Sequence, residues 1–545
     1  MTPRLTRAGL IRAAIAAGTA LAVAPGSAFA AARRTPLLRR IAVRNAGHGY
    51  ASDRTLFATV SPGVADRDRA AISFALDKRA TVHVEAVRTA LRRKTVVWAE
   101  DTVLGPGEHT VEWTPPATIP VGTYVMRMTV EDRAGGRKTY GGVRPTTPSR
   151  QRAPVVRVLG VEAAPLHRSY PAGGKAKIRV LTDARTVTAQ FLACGTEPEY
   201  TDRIDEMRGF PVGNPVTFDW REHRGHPHTV WLRIGPWTSG VYAVKLTTDD
   251  GRLGFAPVIV RPPTLGTVRE AVVMPTNTWQ AYNFADPDGD GWGDTWYAGG
   301  NPRVRLDRPY RERGTPPYWR RYDVAFLKWL KWSNRTPDFL ADDDLEAFAS
   351  GDDLRKLYDL VAFPGHSEYM TARAYDVIQR FRDLGGRLIF LSANNFFWQV
   401  EKRGNEMRRV KLWRNAGRPE SALLGAQYRA NDDGSHQGSY YVIDAAAAPW
   451  LWAGTGLSNG SRLGDMVGGY GIEIDGTTPF SPPGTKVLAM IPSLMGPGLH
   501  AEMTYYETPA GARVFSAGAL DFCGSVTFWP VRKLLDNLWR HMTSG

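Results

Sequence analysis

Leu360-Val361-Ala362-Phe363 leads into Pro364-Gly365-His366-Ser367-Glu368-Tyr369, and helical spacing then runs from Tyr375 to Leu384. Gly385-Gly386 follows, and after it Arg387-Leu388-Ile389-Phe390-Leu391-Ser392. A short apolar run bounded by turn residues reads as a strand buried on both faces. The paired glycines supply a helix C-terminus. Strand, helix and strand at this spacing make a parallel crossover unit, because parallel strands need a connection long enough to return along the sheet.

Upstream, Ala271-Val272-Val273-Met274 reads as another buried strand and Asp323 to Trp332 as an amphipathic helix. Residues 265–545 are therefore expected to form an α/β domain with a mostly parallel sheet. Polar residues after its strands gather at the carboxyl edge, where open α/β sheets place their sites.

Further upstream the period changes to two. Thr81 to Val87 and Tyr124 to Val130 alternate as half-buried strands do. The stretch Gly122 to Asp132 returns in altered form as Gly240 to Asp250, each copy followed by a glycine turn and another strand. This repeat points to two β-sandwich (Ig-like) modules, residues 31–150 and 151–264, joined by a linker at Pro145 to Pro154. Residues 31–40 are basic and read as a flexible lead-in.

The chain has 545 residues, more than one core holds. With 43% hydrophobic and 23% charged residues it is an ordinary globular composition, which excludes bulk disorder. Residues 1–30 read as a Sec-type signal peptide: Arg4, Arg7 and Arg12 precede the apolar stretch Ala13 to Ala24, and Ala28-Phe29-Ala30 fits cleavage after Ala30. A secreted protein is expected, with no transmembrane segment, since no later apolar run reaches about 18 residues. The net charge of +15 favours contact with anionic cell-wall polymers. The arginines are spread along the chain rather than interleaved with aromatics in one block, so nucleic acid is not an expected partner. Cys194 and Cys523 fall in different modules and are expected to remain free thiols.

Four segments of the C-terminal domain carry candidate chemistry. Pro275 to Asn283, directly after a strand, offers Asn277, Trp279 and Asn283 to a polar substrate. Asp286, Asp288, Asp290 and Asp294 stand at positions one, three, five and nine of a calcium-type loop with Gly291 at six, although Tyr297 replaces the usual glutamate at twelve. His366 and Glu368, two apart, can reach one site as a metal ligand with a base or orienting group. Asn394 and Asn395 in Ser392 to Trp398 can position a substrate. There is no P-loop, no dinucleotide fingerprint after a strand and no His-Glu-x-x-His pair.

Taken in order, TNTWQAYN at 276–283, TWY at 295–297, LDRPY at 306–310, GHSEYMT at 365–371, SANNFFW at 392–398 and VGGYGIEID at 467–475 resemble the N,N-dimethylformamidase large (beta) subunit family, in particular its secreted actinobacterial members. The resemblance covers roughly residues 265–530. It implies a mononuclear iron site held by two tyrosines and a glutamate, with a histidine alongside. Here Tyr282 is the first tyrosine, Glu368 the glutamate and His366 the histidine; Tyr297 is the second tyrosine, with Tyr310 as the fallback. Phenolate and carboxylate oxygens suit a hard cation. The expected function is hydrolysis of a carbon–nitrogen amide bond in a small-molecule or glycan-derived substrate. Two rival readings stand beside it. One is a non-catalytic cell-wall or glycan-binding protein on a degenerate α/β scaffold. The other is a calcium-stabilised hydrolase pairing Glu368 with a nearby aspartate.

Overall fold

A computed structural model describes residues 35–89, 95–141, 153–195, 206–297 and 302–544. The signal peptide read in residues 1–30 and most of the Pro145 to Pro154 linker lie outside the described residues. The lead-in expected over 31–40 is shorter than read, because Leu38–Asn45 is already a strand.

The N-terminal part is β-rich, as its alternating pattern implies. Antiparallel strands Leu38–Asn45, Ala70–Leu76 and Gly107–Trp113 face a larger sheet that contains Ala80–Arg88, Thr95–Leu104 and Gly122–Glu131. Phe74 and Trp113 from the first sheet interlock with Val82, Tyr124 and Met128 from the second. Val155–Val158 joins this larger sheet, pairing with both Phe57–Val60 and Gly122–Glu131.

A second pair of sheets follows. Glu162–Pro165, Lys175–Leu181 and His228–Arg233 face a five-stranded sheet that includes Thr186–Ala193, Gly240–Thr248 and Leu253–Arg261. The repeated stretches occupy equivalent places. Tyr124 donates its hydroxyl hydrogen bond to the Pro120 carbonyl at 2.6 Å, and Tyr242 to the Thr238 carbonyl at 2.7 Å, each four residues upstream. Such a tyrosine corner ties a strand to the turn that feeds it.

The C-terminal sheet has nine strands, in the order Asp338–Ala341, Glu270–Met274, Leu360–Phe363, Arg387–Phe390, Arg513–Ser516, Ala501–Glu507, Lys486–Ile491, Tyr440–Val442 and Arg462–Leu463. The first four pairings are parallel. The remaining four are antiparallel. The mostly parallel α/β domain read from the sequence is thus corrected: this is a mixed sheet in a chain that is mainly β throughout. The reason is local. Helices return the chain between the early strands, whereas Ala501–Glu507 and Arg513–Ser516 are joined by a tight turn closed by the Thr508 N–H on the Ala512 carbonyl. A turn that short permits only antiparallel pairing.

The crossover unit itself forms as its residues dictate. The helix Ala372–Asp383 begins where the Thr371 hydroxyl accepts the Ala374 N–H, and it ends at Gly385 with φ +85°. Strand residues alternate between two buried faces. Val273, Val361, Phe363 and Leu388 pack toward this helix. Val272, Met274, Ala362 and Ile389 pack toward Val324–Trp332 and Val531–Thr543. The last helix buries Val531, Leu534, Leu535, Leu538, Trp539 and Met542 along one stripe. Each such side chain contributes roughly 1.5–3 kcal/mol. Val241, Phe255 and Ile259 of the second sandwich share that core with Trp279, Trp319 and Leu327. No disulfide joins Cys194 and Cys523.

Candidate active site

Three of the segments singled out in the sequence converge beyond the carboxyl ends of adjacent parallel strands. Glu270–Met274 feeds the one-and-a-half-turn helix Thr276–Ala281, which ends at Tyr282. Leu360–Phe363 feeds Pro364 to Glu368, and Arg387–Phe390 feeds Ser392 to Trp398. The loops are clasped by their own polar groups. Glu368 donates its N–H to the Thr278 hydroxyl at 3.1 Å, and Ser367 donates its N–H to the Asn395 side-chain carbonyl at 3.1 Å. The Phe396 N–H reaches the Ser367 carbonyl at 2.8 Å. Gly365 is required by close approach: a Cβ there would stand 2.6 Å from an Asp323 carboxylate oxygen.

This clasp turns Glu368 toward Tyr282, whose hydroxyl donates to Oε2 of the glutamate. His366 places Nε2 at 3.7 Å from the same Oε2 and 3.2 Å from Oε2 of Glu473. Glu473 arrives from a distant part of the chain, on the strand Glu473–Gly476 paired with Gln427–Asn431. Asp475, on the same strand, accepts the Asn394 N–H at 2.8 Å and holds that residue at φ +54°. The Tyr297 ring stands edge-on to Tyr282 at 5.1 Å, and Tyr369 does the same at 6.0 Å.

The groups are dry. His366 is 3% exposed and Glu368 4%. Burial pushes the Glu368 carboxyl up to about 7, with His366 opposing and Glu473 adding to the rise. Burial, followed by the Glu368 charge, puts the Tyr282 hydroxyl well above its ordinary range. For His366 burial lowers the pKa, but Glu473 and Glu368 outweigh it and the net direction is up. Burial likewise takes Asp475 to about 7. Both ring nitrogens of His366, Oδ1 of Asn394 and Oε2 of Glu473 are buried without an aligned hydrogen-bond partner among the described residues. They surround a cavity of about 230 Å³ that Tyr282, Tyr297, Tyr318, Tyr322 and Tyr369 also line, with Phe397, Trp398 and Arg409 at its wall.

Other sequence candidates lie elsewhere. Tyr310 is buried beside Gln280 and lines a different cavity, because LDRPY runs behind the Thr276–Ala281 helix. Asn283 bonds Gln280, the Pro309 carbonyl and the N–H groups of Ala285 and Arg311, which makes it a loop tie. Asn277 donates to the Tyr369 carbonyl, and Trp279 donates to Asp323 while walling a void of about 10 Å³ beside His366. Carboxylate oxygens of Asp286, Asp288 and Asp290 lie within 4.8 Å of one another, and Asp294 is not among them. The loop turns away after Gly291, so the Asp294 N–H instead pairs with the Ala285 carbonyl. Asn395 braces the Ser367 backbone, whereas Asn394 reaches the cavity.

Sequence reasoning missed Glu473, Asp475, Tyr322 and Tyr369 as site residues. Glu473, Asp475 and Tyr369 sit inside motifs already noted, so their position was marked but not their role. Tyr322 carried no signal.

A family model described as N,N-dimethylformamidase beta subunit-like, C-terminal, matches residues 227–534. The chain belongs to the N,N-dimethylformamidase beta subunit-like family. The match starts in the second sandwich, as the shared core would lead one to expect. The N,N-dimethylformamidase beta subunits of Paracoccus aminophilus and of an Alcaligenes species are 23% and 22% identical over 306 residues. Each match covers 45% of this chain and 40% of the relative, so the chain spans well under half of those dimethylformamidase subunits. Among solved structures, Salmonella alpha-2-macroglobulin overlaps 41% of this chain and 16% of its own at 7% identity, with a TM-score of 0.22 that bears on neither fold nor function.

Proposed function

We propose that this dimethylformamidase-like chain is a metal-dependent hydrolase that cuts the C–N bond of a compact amide in the cavity between Tyr282, His366, Glu368 and Glu473. One observation carries the reading: the Tyr282–Glu368 hydrogen bond lies against a cavity lined by buried, unpartnered atoms on His366, Asn394 and Glu473. Buried polar atoms of this kind need hydrogen-bond partners, and a bound group would supply them.

The donor set fits iron. Tyr282 and Glu368 would hold it with hard phenolate and carboxylate oxygens, and Tyr297 would complete the set, with Tyr322 of the same cavity as its rival. When bound, the metal would polarise a carbonyl and acidify a water. The chain's own groups supply the proton path. Glu473 Oε2 accepts the proton of the attacking water, and His366 Nε2 delivers it to the amide nitrogen as the C–N bond breaks, releasing an acid and an amine. Asn394 Oδ1 is free to accept a substrate N–H. Phe397, Trp398 and Trp296 wall out solvent. A volume of about 230 Å³ is below the usual range for drug-sized ligands, which favours a small amide.

Elemental analysis of the purified chain and of Glu368→Ala, alongside a screen of small amides for released amine, tests this. Near-stoichiometric iron, lost in the variant, is the expected result. Protein prepared without chelator and carrying neither iron nor zinc would sink the reading.

Calcium at Asp286, Asp288 and Asp290 is a separate proposal resting on their clustered oxygens. Calorimetric titration with calcium should show one site, absent in Asp288→Asn. Export through residues 1–30 and contact with anionic wall polymers rest on the leader pattern and the +15 charge. A mature N-terminus at Ala31 and salt-sensitive retention on wall material are the expected results.

A further inference from the structure

A second cavity, of about 510 Å³, opens where the two sandwiches and the C-terminal domain meet. It shares no lining residue with the cavity around Glu368. Its apolar walls come from all three parts: Phe57 and Val121, Val161 and Leu181, Phe284 and Tyr310. That size and mixture suit a small organic ligand.

Six arginines line it against the carboxylates of Glu162, Asp286 and Asp288, and the arginines are unequally satisfied. Arg157 is paired with Glu162, and Arg179 with Asp307 at 3.1 Å. Arg54 donates to the Asp288 carbonyl. Arg308, 2% exposed, spends its donors on the carbonyls of Gln280, Asp294 and Arg305. The Arg311 guanidinium has no hydrogen bond or ion pair among the described residues. Glu312 is engaged by Arg88 at 3.1 and 3.2 Å. The Asp286 carboxylate accepts the N–H groups of Gly289, Asp290 and Gly291. Burial, then the Arg88 charge, pulls Arg311 down to about 10, and the nearby charges of Glu312 and Asp286 oppose this only in part. Arginine stays charged at neutral pH all the same, so an anion entering the cavity would offset the part of its desolvation that Glu312 and Asp286 do not.

We propose that this junction cavity binds an organic anion, a compact apolar or aromatic body bearing one carboxylate or phosphate, with the Arg311 guanidinium as its counter-charge. The oxyanion matches the fork of guanidinium donors, and the body fills the space between Phe57, Leu181 and Phe284. A bound ligand touches all three parts of the chain and so fixes their arrangement. The proposal does not depend on amide hydrolysis.

The full-length protein is titrated calorimetrically with 1-naphthylacetate, 1-naphthyl phosphate and the neutral 2-(1-naphthyl)ethanol. At least one anion should bind, with the alcohol weaker by about tenfold or more. The tighter of the two anions identifies the headgroup. Arg311→Gln should erase the gap, Arg311→Lys should keep part of it, and Leu181→Trp should block binding by filling the cavity. Glu368→Ala should change nothing. The proposal is overturned if neither anion binds, if the alcohol binds equally well, if Arg311→Gln or Leu181→Trp leaves binding intact, or if Glu368→Ala removes it.

Discussion

Nε2 of His366 lies 3.2 Å from Oε2 of Glu473, although the two residues reach the cavity from different sheets. His366 comes off a parallel strand of the large sheet, and Glu473 comes from a two-stranded ribbon laid over its carboxyl edge. The pair is close without being aligned as a closed hydrogen bond, which leaves both atoms available to a third group.

Glu473→Gln keeps the shape of the side chain and removes its basicity. Amide hydrolysis should lose about 100-fold in kcat, with KM and the circular dichroism spectrum unchanged. An unaltered kcat would remove Glu473 from the proton path.

Tyr282→Phe deletes the hydroxyl that Glu368 holds, and bound iron should fall at least about tenfold on elemental analysis. Tyr310→Phe should leave the metal content as it is, because that ring lines the other cavity. Equal losses in the two variants would reverse the assignment.

The two tyrosine corners should matter for stability rather than activity. Tyr124→Phe and Tyr242→Phe each remove the hydroxyl that holds the preceding turn, at the Pro120 and Thr238 carbonyls. Each should cost roughly 0.5–1.5 kcal/mol. Denaturant unfolding would show earlier midpoints for both, with amide turnover at low denaturant unchanged.

His541 gives the fold an acid-sensitive point. Its ring stacks on Trp450 at 3.7 Å and meets the Tyr505 hydroxyl at 2.9 Å, with Arg513, Arg387 and Glu507 around it. Burial, then Arg513, lowers its pKa to about 4 from 6.5. The unfolded chain takes up a proton below about 6.5 while the folded chain resists until about 4, so its contribution is intact above 6.5 and is lost as the pH falls to 4. The melting temperature should drop across that window, and His541→Phe, which keeps the stack, should flatten the drop. An equal slope in the variant would assign the acid sensitivity elsewhere.

Much of the local architecture was readable because it is written in short periods. Four apolar residues from Leu360, the glycines at 385 and 386 and the alternation through Tyr124 led to the elements that form. The repeat of Gly122 to Asp132 at Gly240 to Asp250 led to two tyrosines held in the same way. The hairpins after Ser392 were not readable as such, because pairing direction depends on turn closure and neighbouring strands rather than on the strand residues themselves.

The site divides along the same line. The sequence by itself determined that Tyr282, His366 and Glu368 follow strands, since a polar residue just past an apolar run must lie at a sheet edge. Only the tertiary structure decided that Glu473 and Tyr322 join them, that Tyr310 does not, and that Arg311 faces the junction cavity without a direct ion pair among the described residues. Those outcomes depend on sheet order and on which modules touch. Charges from distant segments meet through packing, and no local period encodes that meeting.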